Sequence, residues 1–397
     1  MTSAPASFPD GKGALTHAKA ARRLSVLHVI TGLSTGGTER MLQKLLRVRT
    51  EDVIQSVVQL QSGGVIASEM RDEGIDVTDL SIRRSATSAY QFGKLVPLAR
   101  RVRPDVIQTW LYHADLVGAI LGRVLFKPVV WNIRGSDHPG MHRPVVRMCA
   151  TLSRLPALIV ANSESGRKAH ERVGYTAREW RIIPNGFDTG YFGRDDSAPS
   201  DVRRELGLPD DARLVGMIAR SDPLKDHRLF LAAMAQVVGI VPRTYAVLIG
   251  EGMDDGNAII ASAQRDERTR GRIIGLGRRS DIARLTAALD VACLTSVSEG
   301  FPNVIGEAMA CEIPCVVTDA GASRAVVGDT GIVVPPGDVA AFANGVIRML
   351  LCSDAERRAL GIRARRRVIE NFSIDSVSAT YIDLYRAIVE RHYECVE

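Results

Sequence analysis

The chain has 397 residues, 46% hydrophobic and 24% charged, and a formal net charge of +6. That length exceeds one ordinary core and suits two domains with a cleft between them, while the composition excludes a disordered or collagen-like chain. No apolar run nears the roughly 18 residues of a membrane span, and the N-terminus lacks the apolar stretch of a signal peptide, so a cytoplasmic protein is expected.

Residues 1–22, rich in Ala, Ser, Gly and Pro, read as a mobile leader. LSVLHVI then has the continuous apolar pattern of a buried parallel strand, and leads through a loop with Gly36 and Gly37 into a helical pattern. The runs DVIQSVVQL, IDVTDL, DVIQTWL, PVVWNIRG, ALIVANS and WRIIPNGFD continue as strands, alternating with helices near 66–73, before Pro104, over HADLVGAILGRVLF, and near 144–154 and 164–173. Such alternation indicates a parallel sheet with helices on both faces. A polar stretch, 191–211, with Gly193, Pro199 and Pro209, interrupts it and is read as a linker. The second half repeats the scheme with LVGMIAR, TYAVLIG, RIIGL, VACLTS, IPCVVTD and GIVVPPGD, and helices near 227–238, 257–263, 281–289 and after Pro302. In the tail, Val377, Tyr381, Leu384, Tyr385 and Ile388 fall at helical spacing, predicting an amphipathic closing helix. The expected organisation is α/β: a first domain over 23–190, a second over 212–373, and a closing helix over 374–397.

Six scattered cysteines, with no cluster suited to zinc, read as reduced core thiols. The runs Arg100, Arg101, Arg103 and Arg363, Arg365, Arg366, Arg367 read first as solvated helix faces; as a binding surface they suit anionic lipid headgroups or nucleic acid. Aromatic residues, 5% of the chain and scattered, argue against base stacking and so against a nucleic-acid partner.

In open parallel sheets, ligands bind beyond the carboxyl ends of the strands. The polar residues at those ends are Gly36 and Gly37, His113, Asn132 and Arg134, Asn185 and Asp188, Arg220 and Lys225, Gly250 and Gly252, and finally Glu299 and Glu307. Arg220 and Lys225, in ARSDPLKDH, offer a planar fork and a point charge suited to a diphosphate, although ordinary surface cations would look the same. Gly36 and Gly37 would let a backbone approach phosphate before a helix N-terminus; a tight turn explains them equally well. Their loop is neither G-x-G-x-x-G nor G-x-x-x-x-G-K-[ST], which argues against hydride transfer and ATP hydrolysis.

In SVSEGFPNVIGEAMA, Asn303 is the expected N-cap of a helix, placing Glu299 in the loop and Glu307 in or just past the first turn. Interaction with the helix dipole explains Glu307 adequately and Glu299 poorly. Both carboxylates are also suited to accept hydrogen bonds from ribose or sugar hydroxyls. A lone histidine such as His113 is more often structural, unless the two halves face each other.

Taken together, GGTER, the HAD after a strand, IPNGFD, ARSDPLKDH, and two glutamates with seven residues between them resemble the retaining glycosyltransferases of family 4. The likeness runs from about Leu24 to the closing helix. It implies the GT-B architecture: two facing Rossmann-like domains, a deep cleft, and a C-terminal helix returning to the first domain. It further implies a nucleotide-diphosphate sugar donor of UDP or GDP type. Arg220 and Lys225 would hold the diphosphate, Glu307 the ribose and Glu299 the transferred sugar. The N–H groups of Phe301, Asn303 and Val304 would complete that grip, with Gly36 and Gly37 approaching the phosphate from the other domain. His113 would reach the sugar across the cleft, Ile274 would line the nucleobase pocket, and Asn132 and Arg134 would lie on the acceptor side. No Asp-x-Asp suited to a cation-bridged diphosphate is seen, so neither metal nor other cofactor is expected.

By the same resemblance, the acceptor would be a saccharide or lipid-linked saccharide in cell-surface polysaccharide assembly. The basic clusters at 100–103 and 143–147 would then face an anionic membrane surface, at the inner face of the plasma membrane. Ala219 and Asp226 stand where the family often has glycine, and Ala325 where many relatives carry an acid. A nucleotide-sugar epimerase, a phosphorylase or a non-enzymatic sugar-nucleotide-binding protein on the same architecture remain open at this point.

Overall fold

Every residue of β1 (Leu24–Ile30) is buried, because helices cover both faces of its sheet. Successive side chains alternate: Leu24, Val26 and Ile30 enter one core and Leu27 and Val29 the other. The computed structural model describes residues 23–34, 36–81, 88–135 and 143–394. The leader expected over 1–22, and 136–142 of the acceptor-side loop, lie outside them.

The first sheet adds β2 (Val53–Gln59), β3 (Val77–Asp79), β4 (Val106–Trp110), β5 (Val129–Ile133), β6 (Leu158–Ala161) and β7 (Trp180–Ile182). Between its strands run α1 (Gly37–Arg47), α2 (Val65–Asp72), α3 (Ser88–Val102), α4 (Tyr112–Leu125), α5 (Pro144–Leu152) and α6 (Glu164–Arg172). After α7 (Ala198–Glu205), the second sheet contains β8 (Arg213–Ile218), β9 (Thr244–Ile249), β10 (Ile273–Gly275), β11 (Val291–Leu294), β12 (Cys315–Thr318) and β13 (Ile332–Val334). Its helices are α8 (His227–Ile240), α9 (Ala258–Arg265), α10 (Ile282–Ala287), α11 (Asn303–Ala310), α12 (Ser323–Val327) and α13 (Val339–Leu351), followed by α14 (Asp354–Phe372) and α15 (Ile374–Glu394).

The strand orders are β3-β2-β1-β4-β5-β6-β7 and β10-β9-β8-β11-β12-β13, and all pairings are parallel. Each order reverses once, between β1 and β4 in the first sheet and between β8 and β11 in the second. At such a reversal the flanking loops part and leave a crevice at the carboxyl ends.

As predicted, α15 returns to the first sheet. Its Val377, Tyr381, Tyr385 and Ile388 join Met41, Leu42 and Leu45 of α1 in one core. The crossings between the sheets lie side by side: Phe187 N–H donates to the Phe372 carbonyl (2.8 Å), and Ile374 N–H to that of Phe187 (2.9 Å).

The 191–211 stretch does not behave as a linker. Phe192, Ala198 and Val202 are buried in the second core, and Arg203 donates to the Ala212 carbonyl (2.8 Å) and pairs with Asp290 (2.8 Å). Its few apolar residues suffice because α7 buries only one narrow side. The arginine run in α14 also departs from expectation. Arg363 and Arg366 are exposed, but Arg365 donates to the carbonyls of Thr189, Phe192 and Ala310, and Arg367 to those of Ala325 and Val326. These contacts tie α14 to α11, α12 and the crossing segment.

Fully buried His28 accepts a hydrogen bond at Nδ1 from the Trp110 indole (3.1 Å), while its Nε2 meets Gln55 Oε1 (3.0 Å). Both nitrogens are thus satisfied only in the neutral ring, and burial lowers its pKa from 6.5 to about 4. The unfolded imidazole protonates near 6.5 and the folded one near 4, so this contribution is complete above 6.5 and lost as pH falls toward 4. Buried Asp115, whose carboxyl desolvation raises to about 8, acts with opposite sign across that interval. The informative comparison is therefore wild type against His28→Gln. Urea titrations from neutral pH to pH 4 should show the wild type losing about 3 kcal/mol relative to the variant; a constant difference would refute the assignment.

Candidate active site

The predicted residues flank the two reversals in strand order. Around the first, the loop after β1 carries Gly36 and leads to Gly37 at the start of α1, and β4 runs into His113 in the first turn of α4. His113 is exposed there, just after Leu111, whose φ of 74° and ψ of 151° lie where L-residues are strained by about 1–3 kcal/mol. Around the second reversal, the loop after β8 carries Arg220 and Lys225, and the loop after β11 carries Glu299 and leads to Glu307.

The two crevices face each other. The Gly37 backbone, at the start of α1, lies against the Asn303 amide at the start of α11, so the N-termini of two helices converge. Asn303 does not cap its own helix: Pro302 takes that position, and Asn303 Oδ1 accepts from Asn185 Nδ2 (2.6 Å) across the cleft. Its N–H donates to the Phe301 carbonyl (3.0 Å) rather than standing open to a ligand. Lys44 Nζ of α1 meets Glu307 Oε1 at 3.1 Å, a second bridge between the halves.

Gly36, Gly37, Asn303 and Glu307 line one cavity of about 580 Å³, together with Arg40, Lys44, Arg47 and Asp188. The three cations follow one another at i, i+4 and i+7 along α1, which places them on a single helix face. That spacing, readable in the sequence, was the signal that sequence reasoning missed. Glu39, in the first turn of α1, folds toward Gly36, and burial raises its carboxyl pKa.

Deeper in the second half, Lys225 closes a 3-10 turn (Pro223–Lys225) and forms an ion pair with Glu299, whose carboxylate also accepts from Ser296 Oγ (2.7 Å). Only 9% of the Glu299 side chain is exposed. The Lys225 carbonyl accepts from Thr295 Oγ1 (2.8 Å), fixing this loop to the end of β11. Arg220 is turned elsewhere: it is 68% exposed and pairs with Asp222 (2.7 Å), so the two cations expected to share one target engage different carboxylates. Asp222 is itself held ionised chiefly by the Leu224 N–H. Gly250, with φ 151°, packs against the Ala219 carbonyl; close backbone approach between neighbouring strand ends accounts for it without a phosphate.

Other predicted positions serve the framework as well. The Phe301 ring stacks on Phe187 (6.0 Å between centroids), Val304 is half-buried in the first turn of α11, and Ile274 is half-buried on edge strand β10. Asn132 Nδ2 donates to the Tyr381 hydroxyl (3.0 Å), and Arg134 donates to Asn132 Oδ1 (3.1 Å), to Tyr381 (2.8 Å) and to Asn185. The Arg134 guanidinium lies 4.9 Å above the Trp110 ring. This network links α15, the first sheet and, through Asn185, the start of α11.

Comparison with known proteins agrees with the architecture. Residues 35–191 match the family described as Glycosyltransferase Family 4, and residues 212–351 match Glycosyl transferases group 1. The chain is 24% identical over 305 residues to the UDP-Gal:alpha-D-GlcNAc-diphosphoundecaprenol alpha-1,3-galactosyltransferase of Escherichia coli, covering 73% of this chain and 78% of that protein. It is 26% identical to the lipopolysaccharide core biosynthesis glycosyltransferase LpsE of Rhizobium meliloti, covering 73% and 78%. Among solved structures, Anabaena Alr3699/HepE, in complex with UDP, superposes with a TM-score of 0.80 at 24% identity, over 92% of this chain and all of that one. Two Rossmann-like sheets with facing crevices, matched in each half by a glycosyltransferase profile, place this chain in glycosyltransferase family 4, with the GT-B fold.

Proposed function

We propose that this glycosyltransferase moves a sugar from a UDP- or GDP-type donor to the hydroxyl of a lipid-linked saccharide, with retention of anomeric configuration, in cell-surface polysaccharide assembly. The observation that carries this reading is the meeting of two helix N-termini beside a cation and carboxylate set at facing crevices. The names of the Escherichia coli and Rhizobium relatives, and the UDP bound to the Anabaena protein, support the donor and the context.

The diphosphate lies between the N-termini of α1 and α11, with Lys225 and Arg220 offsetting the charge that develops as the nucleotide leaves. Glu307 takes the ribose and Glu299 the sugar hydroxyls. Glu299 pairs with Lys225 and Glu307 with Lys44, so donor binding exchanges each of those contacts for hydroxyls. His113 approaches the sugar from the first half, and Ile274 borders the base. The acceptor oxygen bonds to the anomeric carbon on the face the diphosphate leaves, the carbon–phosphate oxygen bond breaks, and the departing phosphate oxygen takes the acceptor proton. Arg220, Lys225 and the helix ends neutralise the diphosphate in this scheme without a metal. The reaction takes place on the cytoplasmic side, where the nucleotide sugar is available.

A thermal-shift panel of UDP, GDP and ADP with their sugars tests the donor class. UDP or GDP at about 100 times its dissociation constant should stabilise by roughly 2.7 kcal/mol. Stabilisation by ADP alone, or by none, would sink the reading. Donor conversion without any acceptor would favour an epimerase instead, and proton NMR of the product reports the anomeric configuration.

A further inference from the structure

After β7 the backbone crosses from the first sheet to the second, and Asn185 and Phe187 of that crossing carry α11. Asn185 Nδ2 donates to Asn303 Oδ1 in the first turn of α11 (2.6 Å). One turn further on, the Phe187 ring lies so close to Gly306 that a Cβ there has no room. Asn303, Gly306 and Glu307 stand at i, i+3 and i+4, which is one face of the helix. The crossing therefore seats the side of α11 that bears Glu307, a residue lining the cleft cavity.

Arg134, just beyond β5, holds the crossing in place. Its guanidinium donates from Nη1 to Asn185 Oδ1, from Nε to Asn132 Oδ1 (3.1 Å) and from Nη2 to the Tyr381 hydroxyl (2.8 Å). One planar group thus ties β5, the crossing and α15 together. Between Asn185 and Phe187, Gly186 N–H donates to Met41 Sδ of α1 (3.3 Å), a further tie to the first half.

Folding alone does not account for a guanidinium at this place. Its partners are two amide oxygens and a phenol oxygen, and desolvation lowers its pKa. A charge so placed costs stability that an apolar side chain of similar length would not. What the guanidinium supplies is a rigid fork that bonds in several fixed directions at once. Two consecutive bonds, Arg134 to Asn185 and Asn185 to Asn303, run from the carboxyl end of β5 in the first half to the helix that carries Glu307 in the second.

We infer that Arg134 is a positioning residue for the nucleotide donor: through Asn185 it fixes α11, and with it Glu307, where the nucleotide binds. The inference rests on the donor site proposed above and names a residue that holds that site through another. Binding constellations depend on supporting bonds to within about 0.5 Å, and a displacement of about 1 Å can cost about 100-fold. Contact between Arg134 and an acceptor alone makes a different prediction, since it leaves nucleotide binding unchanged when no acceptor is present.

The test is isothermal titration calorimetry of UDP and GDP against the full chain, without acceptor. Arg134→Lys keeps the charge and loses the fork. Asn303→Ala breaks the series of bonds at its other end and places a good helix former in the first turn of α11. Each variant should bind the nucleotide that wild type takes about 10-fold more weakly, and the double variant no more weakly than the weaker single one, because both break the same series. Thermal melts of the same samples read stability separately. A lowered midpoint with wild-type nucleotide affinity in the folded protein would mean a structural role only. That result, or losses that multiply to about 100-fold in the double variant, would overturn the inference and leave the donor reading intact. Wild type that takes neither nucleotide refutes the donor reading, and the inference falls with it.

Discussion

Lys225→Ala is expected to lower kcat/KM for the donor by about 100- to 1000-fold, the scale seen when a preorganised group that meets developing charge is removed. The ammonium sits in a turn whose carbonyl is pinned by Thr295, so its position costs little reorganisation when the diphosphate departs. The variant also strips Glu299, 9% exposed, of its ammonium partner and leaves it bonded to the Ser296 hydroxyl, which should cost about 1–3 kcal/mol of stability. Adding Glu299→Gln removes the stranded charge. The double variant should regain most of the thermal midpoint and none of the activity. A folded Lys225→Ala protein with full turnover would end the assignment.

Gly321→Ala should be the most damaging small substitution near the site. Gly321 has φ 58°, and a Cβ there would lie inside contact distance of the Glu299 carbonyl, a backbone atom that cannot swing aside. Left-handed backbone costs a residue with Cβ about 1–2 kcal/mol, and overpacking typically adds about 1–3 kcal/mol. Differential scanning calorimetry should therefore show a fall of several degrees in the thermal midpoint. The loop must also move away from Gly321, carrying the Glu299 carboxylate from Lys225, so donor affinity should drop with stability. An unchanged midpoint and affinity would show that the loop absorbs the extra methyl group and does not position Glu299.

Much of the framework was legible in the sequence because parallel strands buried on both faces announce themselves as short apolar runs. Among the described residues, twelve of the thirteen strands fall within the runs read as strands, and β8 starts one residue before its run, at Arg213. Elements that bury little apolar surface were not legible. The buried positions of α7 are Ala198, Val202 and Arg203, and those of α14 include Arg357, Gly361 and Ala364, so neither shows a clear apolar stripe. For that reason the 191–211 stretch reads as a linker in sequence, and α13 and α14 do not separate there.

The candidate site divides along similar lines. Which loops could bear chemistry follows from the alternation of strands and helices, since the carboxyl ends of parallel strands are where loops and helix N-termini gather; that rule selects Gly37, His113, Lys225, Glu299 and Glu307 as candidates. Which side chains meet depends on contacts hundreds of residues apart, and no local spacing encodes them. Only the tertiary structure pairs Lys44 with Glu307, turns Asn303 from its own helix to Asn185, sends Arg220 to Asp222, and sets Gly321 behind Glu299. The sequence by itself determined two doubly wound sheets and the loops that could react, through local periodicity and burial. The partners of each charge were decided by how the two sheets pack together across the cleft.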